Sequence, residues 1–91
     1  MSGFVRLIAK FSGRVQGVGF RATTLHYADG LDVNGFVRNE VDGTVLLDAD
    51  GTKTELQELL QRIKERPAGT IDQVDVTWTE SLDRENGFSI G

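Results

Sequence analysis

Along the first dozen residues, Val5, Leu7, Ala9 and Phe11 alternate with Arg6, Ile8, Lys10 and Ser12. A period of two puts one set on each face of an extended chain, so this segment is expected to be a strand with one face buried. A glycine-rich stretch follows, Gly13 to Gly19, after which Phe20, Thr24, Tyr27, Ala28 and Leu31 recur at i, i+4, i+7, i+8 and i+11. That spacing draws an apolar stripe along an α-helix. Gly30 suits a left-handed helix cap, and Val33, Gly35 and Val37 resume the strand alternation. Asp42-Gly43 is the dipeptide that best tolerates the positive φ angles of a tight hairpin. Val45, Leu47 and Ala49 then supply the inward face of a third strand, antiparallel to the second.

A turn is expected at Asp50-Gly51. Beyond it Thr52 and Glu55 have the spacing of a capping box, and Leu56, Leu59, Leu60 and Ile63 mark a second amphipathic helix that Pro67 ends. Val74, Val76 and Trp78 alternate as a fourth strand, and Phe88 with Ile90, after an Asn86-Gly87 turn, forms a short fifth. The order is β-α-β-β-α-β with a short strand appended. It predicts a single domain over residues 1–91 of the α+β class, a ferredoxin-like sandwich in which an antiparallel sheet carries both helices on one face.

Composition removes several kinds of chemistry from this frame. With no cysteine, disulfides, thiolate metal sites and thiol nucleophiles are excluded, and the single histidine, His26, rules out a multi-histidine metal site. His26 falls off the apolar stripe and is expected at the surface. Asp29, Asp32, Asp48 and Asp50 lack a metal-ligand spacing, and Glu55, Glu58 and Glu65 read as the solvated face of the second helix. Arg6 and Lys10 interrupt the apolar N-terminal residues, which leaves neither a signal peptide nor a membrane span, so a soluble cytoplasmic protein is expected.

The formal charge of −4 argues against nucleic acid or an anionic membrane as partner. An RNA-binding sheet is further disfavoured because the expected central strands, one and three, carry only Phe4 and Phe11 as aromatics. The distribution of charge is more informative. Residues 1–21 hold Arg6, Lys10, Arg14 and Arg21 and no acid, whereas six bases and all 14 acids lie beyond.

That anion-friendly stretch contains GRVQGVGFR, Gly13 to Arg21, between a strand and a helix. Glycines let a backbone turn successive N–H groups into a concave nest, and a helix start adds unpaired donors at its positive end. Arg21 can place a planar fork of donors on two oxygens of a phosphate. The same residues also suit an ordinary glycine-rich turn with a solvated arginine. Gly17-x-Gly19-x-x-Ala22 formally matches the dinucleotide fingerprint, but that motif needs parallel strands and the next pair here is antiparallel. A nucleotide P-loop needs Lys followed by Ser or Thr, and Phe20 and Arg21 follow this loop instead. Asn39, at the end of the second strand, reads on spacing alone as a turn-former.

Taken together, GRVQGVGFR, then GFVRN from Gly35 to Asn39, then Asp42-Gly43-Thr44-Val45, resemble the acylphosphatase family. The resemblance is strongest over residues 11–45 and extends by pattern to Ile90. It implies a standalone, monomeric enzyme that hydrolyses small acyl phosphates to a carboxylate and orthophosphate, without metal or other cofactor, and with orthophosphate as an inhibitor. It further implies that the phosphate is held by Gly13, Arg14, Val15, Gln16, Gly17, Val18 and Gly19, that Arg21 is the phosphate-binding arginine, and that Asn39 orients the attacking water. Asp32 stands where the family often has glycine, and Leu46 where an acidic residue commonly follows Val45.

Overall fold

The computed structural model describes residues 3–91, so the first two residues of the expected 1–91 domain lie outside the described residues. Seven elements follow in order: β1 (Phe4–Arg14), α1 (Phe20–Ala28), β2 (Val33–Asn39), β3 (Val45–Thr52), α2 (Lys53–Glu65), β4 (Thr70–Glu80) and β5 (Phe88–Ile90). They form one five-stranded sheet in the order β4-β1-β3-β2-β5. The α+β sandwich and its β-α-β-β-α-β order are as the sequence predicts.

The alternation in the sequence becomes the core. Leu7, Ala9 and Phe11 of β1 pair with Ala49, Leu47 and Val45 of β3, all fully buried on the face that carries the helices. Leu56, Leu59 and Ile63 of α2 and Phe20 and Ala28 of α1 close that face. Thr24 keeps its place on the buried stripe of α1 because its hydroxyl donates to the Phe20 carbonyl, 2.9 Å away, and so brings no unpaired donor into the core. Gly30 takes φ +84°, but not as the expected left-handed helix cap. Asp29 before it is extended (φ −63°, ψ 131°) and the Leu31 N–H donates to the Ala28 carbonyl at 3.0 Å, so Gly30 is the third residue of a type II turn that follows α1. Thr52 accepts the Glu55 N–H at 3.2 Å, but the Glu55 carboxylate turns to the Asp32 N–H instead of completing the box. Among the described residues, neither helix is long and apolar enough to cross a membrane.

Further local expectations are corrected. No turn forms at Asp50-Gly51, because β3 runs through both residues, pairing with Val5 and Arg6 on one side and with Val33 and Asn34 on the other. Ladders on both edges override the turn preference of the dipeptide. Gly51 answers to packing, since a Cβ there would lie 2.9 Å from the Asp32 carbonyl oxygen. At the hairpin, only Gly43 of the Asp42-Gly43 pair takes a positive φ, +91°. Val41 to Gly43 form a three-residue loop closed by Glu40 N–H to Thr44 O at 2.9 Å and Gly43 N–H to Glu40 O at 3.2 Å. Asp42 holds the loop from its side chain, accepting both the Thr44 N–H and hydroxyl.

The last strand arrives by an unusual route. β4 and β5 occupy opposite edges of the sheet, so residues 81–87 must cross it, and β5 then lies parallel to β2, which makes the sheet mixed where a purely antiparallel one is expected. The crossing runs over the face opposite the helices and is tied there to two buried carboxylates. Asp50, with no exposed surface, accepts the Leu82 and Arg84 N–H groups at 3.0 and 3.1 Å. Asp48 takes a two-pronged bond from Arg6, at 2.8 and 2.7 Å, and a third from Arg84 at 2.9 Å.

Burial alone would push the Asp48 carboxyl up, but the hydrogen bonds from Arg6 and Arg84 outweigh it and hold the group below its ordinary value. A carboxyl that titrates lower in the folded chain stabilises fully above its unfolded pKa of about 3.9, and this is lost as pH falls through the folded value. Asp48→Asn is therefore expected to cost about 3 kcal/mol at pH 7, by urea denaturation, with the gap to the parent closing below about pH 4. A gap that stayed constant from pH 7 to pH 3 would contradict this account of the crossing.

Candidate active site

The glycine-rich loop starts later than its motif. Gly13 and Arg14 are the last residues of β1 and pair with Ile71 and Thr70 of β4, after a register shift at Ser12/Gly13. The turn proper is Val15 to Gly19. Val15 is buried in the core, and Gly17 and Gly19 adopt φ +75° and +83°, left-handed conformations that a side chain disfavours. Gly19 is also the N-cap residue, immediately before α1. No side chain caps that end, and the first N–H groups of a helix have no partner within it, so donors gather where the loop meets the helix.

Phe20 fixes this junction. Its ring is buried against Phe11 of β1, centroids 5.0 Å apart and planes tilted by 54°, which seats the first turn of α1 on the sheet. Arg21 therefore leaves the helix on its outer side while the residue before it is anchored in the core. Its guanidinium is half-exposed, and its nearest protein acceptor is the Gly91 carbonyl oxygen at 3.5 Å, longer than an ordinary N–H···O bond of about 2.7–3.2 Å. The fork is held loosely and most of its donors stay available.

Asn39 is the last residue of β2, exposed, immediately before the hairpin. It reaches the same place. Val15, Gly17, Gly19, Phe20, Arg21, Ala22, Asn39 and Ile90 line one concavity of about 160 Å³. Of the loop residues expected to hold phosphate, Val15, Gly17 and Gly19 line it. Gly13, Arg14, Gln16 and Val18 do not. Val18 packs against the core, and Gln16 turns its side chain toward the hairpin. Ile90 is the wall residue that the sequence does not announce, because β5 comes beside β2 only through the crossing of the sheet. His26 is exposed, as expected.

The concavity thus combines main-chain donors, one cationic fork and one neutral amide, a set suited to a small multiply charged oxyanion. The acylphosphatase family model matches residues 7–90. An acylphosphatase of Salinibacter ruber is 44% identical over 86 residues, covering 93% of this chain and 90% of its own. One from Roseiflexus sp. is 37% identical over 91 residues, covering 99% and 98%. Among solved structures, the acylphosphatase of Bacillus subtilis superposes with a TM-score of 0.87 at 34% identity, over 96% of this chain and 98% of that one. Similarity that spans both motifs and nearly the full length of each partner makes this chain a member of the acylphosphatase family.

Proposed function

We propose that this concavity hydrolyses the carboxyl–phosphate bond of small acyl phosphates with Arg21 and the main-chain N–H groups where the glycine loop meets the start of α1 holding the phosphoryl group, and Asn39 orienting the water. The observation that carries the reading is convergence. Arg21 and Asn39 belong to a helix and a strand, yet both line one hollow with the two left-handed glycines.

The chemistry asks little more of the protein. A water oxygen forms a bond to phosphorus while the bond from phosphorus to the acyl oxygen breaks, and the electron pair leaves with the carboxylate. The conjugate acid of that leaving group has a pKa of about 4, so it departs without a general acid. Charge in the transition state spreads over three equatorial oxygens, which fixed N–H donors and a guanidinium fork stabilise without reorganising. The Asn39 amide oxygen accepts from the in-line water and its NH₂ group donates to the phosphate. The proton released by the water passes to a phosphate oxygen. Neither a metal ion nor another cofactor takes part in this scheme, and a single chain supplies every group.

Purified protein is expected to hydrolyse acetyl phosphate and benzoyl phosphate in excess chelator, with inorganic phosphate as competitive inhibitor. Turnover no faster than the spontaneous reaction, together with measurable phosphate binding, would reduce the site to a phosphate receptor. Loss of turnover on adding chelator would refute the metal-free scheme alone.

A further inference from the structure

Gln16 lies in the loop but sends its side chain away from the concavity. Its amide nitrogen donates to the main-chain carbonyl oxygens of Glu40, at 2.8 Å, and Thr44, at 2.9 Å. These are the two residues that face each other across the mouth of the β2–β3 hairpin, and Glu40 directly follows Asn39. The hairpin does not need these bonds to be satisfied. The Thr44 oxygen already accepts the Glu40 N–H, and the Glu40 oxygen already accepts the Gly43 N–H. Both protons of the amide are thus spent on tying two separate pieces of chain together.

The tie has firm ground on the loop side, because Val15, the preceding residue, is buried in the core. Among the described residues no other side-chain hydrogen bond joins the loop to the hairpin. The Lys10–Asp42 ion pair, at 2.9 Å, grips the hairpin from β1, and its side chains are 43% and 49% exposed, so it fixes position weakly.

We propose that Gln16 is a positioning residue whose side chain sets the separation between the phosphate loop and Asn39, and so aligns the attacking water with the bound phosphoryl group. The proposal rests on the reading of Asn39 given above. In-line attack is sensitive to such alignment, and a displacement of about 1 Å can cost on the order of 10²-fold in rate. The loop N–H groups and Arg21 hold phosphate whether or not the hairpin is tied, so binding and turnover should separate.

Gln16→Met keeps the length of the side chain and removes both donors. It is expected to lower kcat for acetyl phosphate by about 10- to 100-fold while the inhibition constant of inorganic phosphate stays nearly the same. In an Asn39→Ala background the same substitution should cost no further turnover. Gln16→Asn, which keeps the amide on an arm one methylene shorter, should give a similar split and serves if the Met variant does not fold. All are assayed well below their own melting temperatures. Unchanged kcat in a folded variant, weakened phosphate inhibition as the main effect, or an undiminished loss in the Asn39→Ala background would each overturn the proposal. If Asn39→Ala itself retained normal turnover, the earlier reading of Asn39 would fall first, and that outcome is distinguishable from a failure of Gln16 alone.

Discussion

Arg21→Ala is expected to lower kcat/KM for acetyl phosphate by at least about 10²- to 10³-fold, the usual cost of losing one preorganised donor to a developing oxyanion. The loss should fall on binding as well as on turnover, because a guanidinium attracts the charged ground state too, so inorganic phosphate should inhibit the variant more weakly. The side chain makes one long contact, 3.5 Å to the Gly91 oxygen, and Phe20 beside it carries the packing of the first helical turn. The variant should therefore fold with little loss of stability. Arg21→Lys separates charge from shape. An ammonium keeps the charge but not the planar fork that meets two oxygens at once, so it should recover only a small part of the activity. Full activity in the Lys variant would mean that charge alone is what the site requires.

Asn39→Ala should produce a loss of similar size with a different signature. An amide that holds only the water and one phosphate oxygen contributes little to binding the ground state. The expected fall of about 10²- to 10³-fold lies in kcat, with KM and phosphate inhibition changed little. Steady-state kinetics with phosphate as inhibitor make the comparison with Arg21→Ala direct. Turnover near that of the parent would remove Asn39 from the mechanism and leave the water to be oriented by the loop. Asn39 is exposed at a strand end, so destabilisation is a poor alternative explanation of a loss.

Much of this was legible in the chain itself. The period of two in Leu7, Ala9 and Phe11 and the helical spacing of Leu56, Leu59 and Ile63 mark sides of the core that the structure buries, with Val5 partly buried at its edge. The loop glycines and Arg21 are adjacent in sequence, so their meeting is a local event, and the motif shared with the family pointed to Asn39 as its partner. What misled was local preference in a non-local setting. Asp50-Gly51 reads as a turn, but β3 sits between β1 and β2, and pairing on both edges holds the dipeptide extended. Asp42-Gly43 does sit in the hairpin, yet the Asp42 carboxylate bonding to Thr44 and a left-handed Gly43 produce a three-residue loop.

The sequence by itself determined the elements, their inward faces and the residues able to bind an oxyanion, because each depends on spacings of a few positions. The tertiary structure alone decided that Arg84 would meet Asp48, that β5 would bring Ile90 to the concavity wall, and that Gln16 would bind the hairpin at Glu40 and Thr44. Those pairs lie far apart along the chain. No periodicity encodes them, and they form only when the sheet order and the crossing of residues 81–87 have fixed which surfaces face each other.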